Sequence, residues 1–318
     1  MPAKPLRLGV VMDPIKSITP KKDSSFAMLL EASRRGAAIY YFELRDLRLA
    51  GGVALGNARL LQVQDDAENW YSLGAAEDLA LGDLDVILMR KDPPFNMEYI
   101  YSTYILERAA DAGALVVNSP GSLRDMNEKA YTAWFADCAP MTLITRSMAD
   151  LKDFLRDHQH VVIKPLDGMG GRSIFVIKKG DNNANVVFET LTDNGQRFAM
   201  AQTFIPEINK GDKRILLIDG EPVPYALARI PPADDNRGNL VMGATAEGLE
   251  LSERDRFICS RVGPRLKEGG VVFAGIDVIG DYLTEINVTS PTGIRELDRM
   301  FDLNIAGKLF DAIDARLA

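Results

Sequence analysis

Short, nearly unbroken apolar runs alternate with amphipathic stretches over the first third of the chain. Residues 6–12 form a buried-strand candidate that stops at Asp13-Pro14, and 38–42, 85–89 and 115–118 repeat the type. Between the first two, Asp23 and Ser24 can cap a helix whose Phe26, Leu29, Leu30 and Ser33 share a face, and Gly36 supplies its stop. A second helix is expected over 97–112, ended by Gly113. Strands that are apolar on both faces and separated by helices predict a doubly wound parallel sheet.

Beyond about Pro120 the pattern changes. Helices are expected over 122–138, 147–157 and 252–267, but the strands now read as hairpins: 161–165 with 173–178, 214–218 with 222–230 across Asp219-Gly220, and 271–279 with 282–288. The chain therefore reads as α/β at its start and α+β in its C-terminal part, with the boundary near 120–127 dividing 1–123 from 124–318. Residues 231–248 are rich in Pro, Gly, Asn and Asp and form one long loop; loops beyond ~12–15 residues in compact domains are usually functional or disordered.

Composition narrows the function classes. A chain of 318 residues fits two domains, and 47% hydrophobic with 26% charged residues is a globular balance. The net charge of −8 disfavours a general nucleic-acid binder. No apolar run approaches the ~20 residues needed to cross a bilayer, and the first residues lack a signal-type cleavage site. Two cysteines, without CxxC or HxxxH spacing, predict neither a disulfide framework nor a zinc site. The expectation is a soluble cytoplasmic protein. Cys138 and Cys259, on helical segments, read as packing residues, as do Trp70 and Trp134; His158 and His160 read as structural, and the acidic 65–68 as a solvated loop.

The strongest chemical signal is Lys164-Pro165-Leu166-Asp167-Gly168-Met169-Gly170-Gly171-Arg172-Ser173. A lysine leaves a strand, and glycines follow that let backbone N–H groups approach an anion, so the pattern suits phosphate. A plain hairpin turn is the alternative; a Walker A loop is excluded, because GxxxxGK[ST] is absent. The second signal is Thr284-Glu285-Ile286-Asn287-Val288. Strand alternation puts Glu285 and Asn287 on one face, where oxygen donors suit a hard cation such as Mg²⁺; a solvated polar face on an edge strand is the alternative. Asp277 on the preceding strand can join them only in one register. A two-residue turn at Gly280-Asp281 would pair it with Thr284, on the wrong face. A three-residue turn including Tyr282 pairs it with Glu285, and that turn is expected.

These segments, with Lys129 and 200–205, resemble the ATP-grasp pattern. More closely, 11–14, 22–31, 88–95, 164–171 and 283–292 resemble bacterial glutathione synthetase, and the similarity runs from about residue 6 to the C-terminus. The resemblance implies an N-terminal substrate domain over 1–123 and an ATP-grasp domain over 124–318. The latter has a central subdomain over about 128–202 and a C-terminal one over about 203–318, with a lid at 231–248. It also implies an ATP-dependent ligase joining γ-glutamylcysteine to glycine through an acyl phosphate, with no nucleic-acid or membrane partner, as a homo-oligomer, a tetramer in that family's manner.

Residue by residue, the resemblance places Lys129, Lys164, Gly168, Gly170, Gly171 and Ser173 on the phosphates of ATP. Gln202, Phe204, Ile205 and Asp212 join the nucleotide set, and Asp277, Glu285 and Asn287 hold Mg²⁺, or Mn²⁺ in its place. Arg214 and Arg229 serve the acceptor carboxylate and the acyl phosphate, because a guanidinium fork suits both; Arg237 is the lid residue that reaches the substrates. In the N-terminal domain Asp13 faces the γ-glutamyl amine and Arg90 a carboxylate, while Ser290 and Thr292, just after the metal strand of the C-terminal part, offer backbone N–H groups to a carboxylate. The loop opening, 231–235, and its close at 243–245 depart from the family pattern. Two other readings are another ATP-grasp carboxylate–amine ligase and a non-catalytic ATP-binding regulator. The joint presence of Asp277, Glu285, Asn287, Arg214 and Arg229 weighs against the regulator.

Overall fold

The computed structural model describes residues 5–168, 172–230 and 245–318. Its first sheet holds β1 (Arg7–Val11), β2 (Ala38–Phe42), β3 (Leu47–Ala50), β4 (Val53–Val63), β5 (Tyr71–Ala80), β6 (Val86–Met89) and β7 (Leu115–Val117). The strand order is β3-β4-β2-β1-β6-β7, with β5 pairing on β4. Strands β2, β1, β6 and β7 are parallel, as the apolar runs predict, whereas β3, β4 and β5 add an antiparallel extension that the sequence reading missed. Its strands carry polar and small residues on a largely exposed face, so they lack the continuous apolar signal of buried parallel strands.

Period-two alternation divides the parallel strands between two cores. Leu8, Val10, Val86 and Leu88 pack with Met28, Leu29 and Ala32 of α1 (Ser24–Arg34), whereas Val11, Ile87 and Met89 pack with Leu106 and Ala109 of α2 (Met97–Asp111). Asp23 caps α1 by accepting from the Phe26 N–H at 2.7 Å, as expected. The helix expected over 122–138 is broken. Helix α3 covers only Pro120–Asp125, and a 3-10 turn occupies Ala130–Trp134. Between them the Asn127 side chain accepts from the N–H groups of Lys129 and Ala130 at 3.1 and 2.9 Å, competing with helical bonding. Cys138 lies in the turn that follows rather than on a helix, although it is buried; Trp134, expected in the core, is 64% exposed and stacks on Tyr131.

A four-stranded antiparallel sheet follows, from β8 (Thr142–Thr145), β9 (His160–Pro165), β10 (Phe175–Lys178) and β11 (Ala199–Thr203), in the order β10-β9-β11-β8. It packs with α4 (Met148–His158) and α5 (Ala184–Thr192) in a core of its own. A five-stranded antiparallel sheet is built from β12 (Asp212–Ile218), β13 (Glu221–Ile230), β14 (Thr245–Glu250), β15 (Phe273–Ile279) and β16 (Tyr282–Asn287), ordered β14-β13-β12-β15-β16. Residues 245–248, expected in the long loop, thus belong to a strand; 231–244 lie outside the described residues. Helices α6 (Glu253–Glu268), α7 (Ile294–Phe301) and α8 (Ile305–Leu317) complete the chain.

Asn118 ties the first sheet to the last. Its Nδ2 donates to the carbonyls of Phe273 and Val288 at 2.7 Å each, and its Oδ1 accepts from the N–H groups of Val272 and Phe273 at 2.8 and 2.9 Å. Both amide hydrogens and both lone pairs are used, which fixes the starts and ends of β15 and β16 against β7.

Near the C-terminus, Asp298 accepts from the Ile305 N–H at 3.0 Å, and burial pushes its carboxyl up to about 6. An acid whose value rises on folding binds its proton more tightly when folded, so stability falls as pH climbs from the ordinary 3.8 through about 6. The thermal midpoint of Asp298→Asn minus that of the wild type should therefore increase across that window and level off above it. The expected gain is on the order of 1 kcal/mol once solvent screening of this half-buried group is discounted. A difference that stays flat with pH would refute the assignment.

Candidate active site

The register of the last sheet assembles a row of charged side chains. Asp212 stands opposite Arg229, Arg214 opposite Asp277, Asp277 opposite Glu285, and Gly275 opposite Asn287. Opposite residues in an antiparallel pair share a face, so the row crosses β13, β12, β15 and β16 on one side. The pairing of Asp277 with Glu285 is the expected one, but its cause differs. The turn has two residues, with Gly280 at φ +55° and Ile279 paired to Tyr282; a bulge between Asp277 and Val278 skips Thr284 and restores the register. The Thr284 hydroxyl donates to the Asp277 carbonyl at 3.1 Å across the bulge.

Arg214 grips Asp277 with both arms of its fork, Nε to Oδ1 at 2.6 Å and Nη2 to Oδ2 at 2.7 Å. Arg229 Nη2 adds a contact to Asp277 Oδ2 at 2.9 Å, while its Nε donates to Asp212 Oδ1 at 3.0 Å. Gly275 makes this possible, because a Cβ there would stand 2.8 Å from Arg214 Cδ and 2.9 Å from Pro291 Cβ. Burial works against the Asp277 charge, but Arg214 and Arg229 hold its carboxyl far below the usual carboxylate range. Burial pushes Asp212 up to about 6 despite Arg229. Arg229, although buried, is held above the ordinary arginine value by Asp277 and Asp212. These are buried ion pairs, not surface ones.

Two lysines face this row from other elements. Lys129 follows the Asn127 cap; its Nζ pairs with Glu128, donates to the Gly168 carbonyl at 2.5 Å and lies 3.5 Å from Glu285 Oε1. Lys164, on β9, is 5% exposed, and its nearest carboxylate oxygen among the described residues is Glu285 Oε1 at 4.0 Å. Among the described residues its ammonium makes one hydrogen bond, to the Thr284 carbonyl at 3.5 Å. Burial pulls its ammonium below the ordinary lysine value, whereas Lys129, equally buried, is held above it by Glu285 and Glu128. Gly168 and Ser173 bracket the glycine segment, and Ser173 takes φ +57°. Gly170, Gly171 and Arg237 lie outside the described residues.

Beside Lys164, Gln202 and Phe204 run along and beyond β11, and Ile205 is buried. Gln202 donates to the Thr142 hydroxyl at 3.0 Å, and Phe204 stacks on His160 with ring centres 3.9 Å apart. On the N-terminal side Asp13 pairs with Lys91 at 2.9 Å and accepts from the Asp92 N–H at 3.0 Å. Arg90 is buried and has no carboxylate within 4 Å among the described residues; it donates to Ser25 Oγ at 3.0 Å and to the Pro291 carbonyl at 2.9 Å. Burial brings its guanidinium down to about 10. The Ser290 hydroxyl donates to the Arg90 carbonyl at 3.2 Å, so Arg90 and 290–291 are joined, while Thr292 is exposed beside them.

Lys164 and Arg90, buried cations short of anionic partners among the described residues, flank a row rich in carboxylates. Among the described residues no three His, Cys, Asp or Glu side chains are close enough to hold a metal by themselves. Asp277, Glu285 and Asn287 supply only two carboxylates and an amide, so a cation there needs oxygens from a ligand, as Mg²⁺ commonly takes from phosphates. All three are hard oxygen donors and fit Mg²⁺. Glu128 was missed in the sequence. Its carboxyl, raised by burial and then by Glu285, pairs with Lys129 beside the row. Its adjacency to Lys129 was the only available signal.

Residues 6–124 match the prokaryotic glutathione synthetase N-terminal domain, and 128–302 match the ATP-grasp domain of the same family. Glutathione synthetases of Vibrio cholerae and of Escherichia coli strain K12 are each 57% identical over 312 residues, covering 98% of this chain and 98% and 99% of theirs. Among solved structures, D-cycloserine synthetase DcsG superposes with a TM-score of 0.68 at 15% identity, covering 98% of this chain and all of its own. ATP-grasp ligase PsnB superposes with a TM-score of 0.64 at 19% identity, covering 99% and 100%. At those identities the two structures speak for the fold alone.

Proposed function

The chain belongs to the prokaryotic glutathione synthetase family, and from that membership we propose how its residues carry the reaction. It is an ATP-dependent ligase that makes glutathione; neither a different amino-acid pair nor a non-catalytic role is favoured. The observation that carries the assignment of the site is the buried Lys164 ammonium, 4.0 Å from its nearest carboxylate among the described residues, beside a row of oxygen donors.

A carboxylate is a poor acyl donor, because its carbonyl already carries negative charge. Its oxygen attacks the γ-phosphorus of ATP and ADP leaves. The glycine amine then attacks the acyl carbon, a proton leaves the nitrogen, and phosphate departs with the bonding pair. Both steps concentrate anionic charge, so fixed cations supply most of the stabilisation. Lys129 and Lys164 hold the phosphates, with the backbone at Gly168 and Ser173 beside them, and Gln202, Phe204 and Ile205 flank the adenine. Asp277, Glu285 and Asn287 hold Mg²⁺ or Mn²⁺, which when bound neutralises developing phosphate charge. Arg214 and Arg229 turn their remaining N–H groups to the acyl phosphate and the acceptor carboxylate. Asp212, expected with the nucleotide, is assigned to fixing Arg229. Arg90 takes a carboxylate of γ-glutamylcysteine and Asp13 its amine, beside Ser290 and Thr292. On the same family ground we propose a cytoplasmic homotetramer.

The test is ADP release with substrates omitted in turn. Turnover should require ATP, γ-glutamylcysteine and glycine together, and without glycine ADP should stop near one equivalent per site. Sustained release with another amino-acid pair, or without the dipeptide, would overturn the reading.

A further inference from the structure

The orientation of the Asn287 amide is decided by a residue outside the set assigned above. With its nitrogen toward Asp277, the amide makes one long bond of 3.4 Å, and its oxygen faces another acceptor. Turned over, the nitrogen donates to Glu128 Oε2 at 3.2 Å and the oxygen accepts from Arg214 Nη2 at 3.3 Å. Only the second arrangement gives each end of the amide a complementary partner, which outweighs the 3.4 Å approach of its oxygen to Asp277 Oδ2. It also places the Asn287 oxygen beside Asp277 Oδ2, on the face shared with Glu285.

Glu128 is well built for this task. Its other oxygen, Oε1, is occupied by Lys129, which leaves Oε2 for Asn287. Its backbone carbonyl accepts from the Ile286 N–H at 2.8 Å, so its segment is fastened to β16 one residue before Asn287. Side chain and backbone thus grip the same stretch of strand. We propose that Glu128 is a positioning residue that holds the Asn287 amide nitrogen, and so presents the amide oxygen to the divalent cation. The inference rests on the metal assignment to Asp277, Glu285 and Asn287.

The experiment measures binding of a non-hydrolysable ATP analogue by calorimetry, with and without Mg²⁺, in the full-length protein. Glu128→Ala should reduce the Mg²⁺-dependent tightening about tenfold, in the range for residues that orient a metal ligand, and leave metal-free binding within about twofold. Glu128→Gln keeps an acceptor oxygen for the amide and should retain the tightening within about threefold. Asn287→Ala and the double variant should match each other, because Glu128 acts through Asn287. Should the alanine variant not fold, Glu128→Met against Glu128→Gln makes the same comparison at similar size. Equal weakening with and without Mg²⁺ would mean that Glu128 acts on Lys129, and additive losses in the double variant would mean that it acts apart from Asn287; either overturns the proposal. A wild-type protein showing no Mg²⁺ effect would instead sink the metal assignment, and this inference with it.

Discussion

Asp277→Asn should destabilise the protein by about 3–5 kcal/mol, as removal of one partner from a buried ion cluster does. The carboxylate is 3% exposed and is shared by Arg214 and Arg229 at 2.6–2.9 Å. An asparagine has nearly the same shape, so the cost is electrostatic rather than steric. Among the described residues Arg229 would keep only the Asp212 carboxylate within 4 Å and Arg214 would keep none. The measurement is urea unfolding of the isolated variant, with ligation assayed under native conditions, where activity should be lost as well. Unchanged stability would show that the arginines do not depend on Asp277, and the reading of the row as an interlocked cluster would fail.

Arg214→Lys should lower kcat by roughly 10²–10³-fold, the scale for removing one fixed donor at a developing oxyanion, while ATP affinity stays within a few-fold. Lysine keeps the positive charge beside Asp277 but has no fork. It cannot grip both carboxylate oxygens and still direct an N–H at the reacting group. Steady-state kinetics with ATP titrated separately checks the split. Collapse of ATP binding would move Arg214 into the nucleotide site, and unchanged kcat would remove it from the chemistry. Alanine is the poorer probe here, because it would also strip Asp277 of its bidentate partner and confound catalysis with stability.

The parts of the site legible in the sequence are those fixed by local pattern. The strands of the parallel sheet were visible because burial on both faces demands continuous apolar runs, and the Asp23 cap because a carboxylate before an amphipathic stretch satisfies open N–H groups. The facing of Glu285 and Asn287 followed from strand alternation alone. Less visible was the β3–β5 extension, whose exposed strands need no apolar signature. The break after α3 was hidden too, because Asn127 and Lys129 are compatible with a helix until a side-chain cap outcompetes it.

The sequence by itself determined which chemical groups this protein owns and the order in which its elements occur, because propensity, capping and hydrophobic period act over a few neighbouring residues. Only the tertiary structure decided which of those groups meet. A single skipped residue at Thr284, rather than turn length, sets Asp277 against Glu285, and a contact across 63 residues joins Arg214 to Asp277. Glu128 reaches Asn287 from a segment that shares no strand with it. Such meetings depend on register and on packing between sheets, where a one-residue slip inverts a strand's faces.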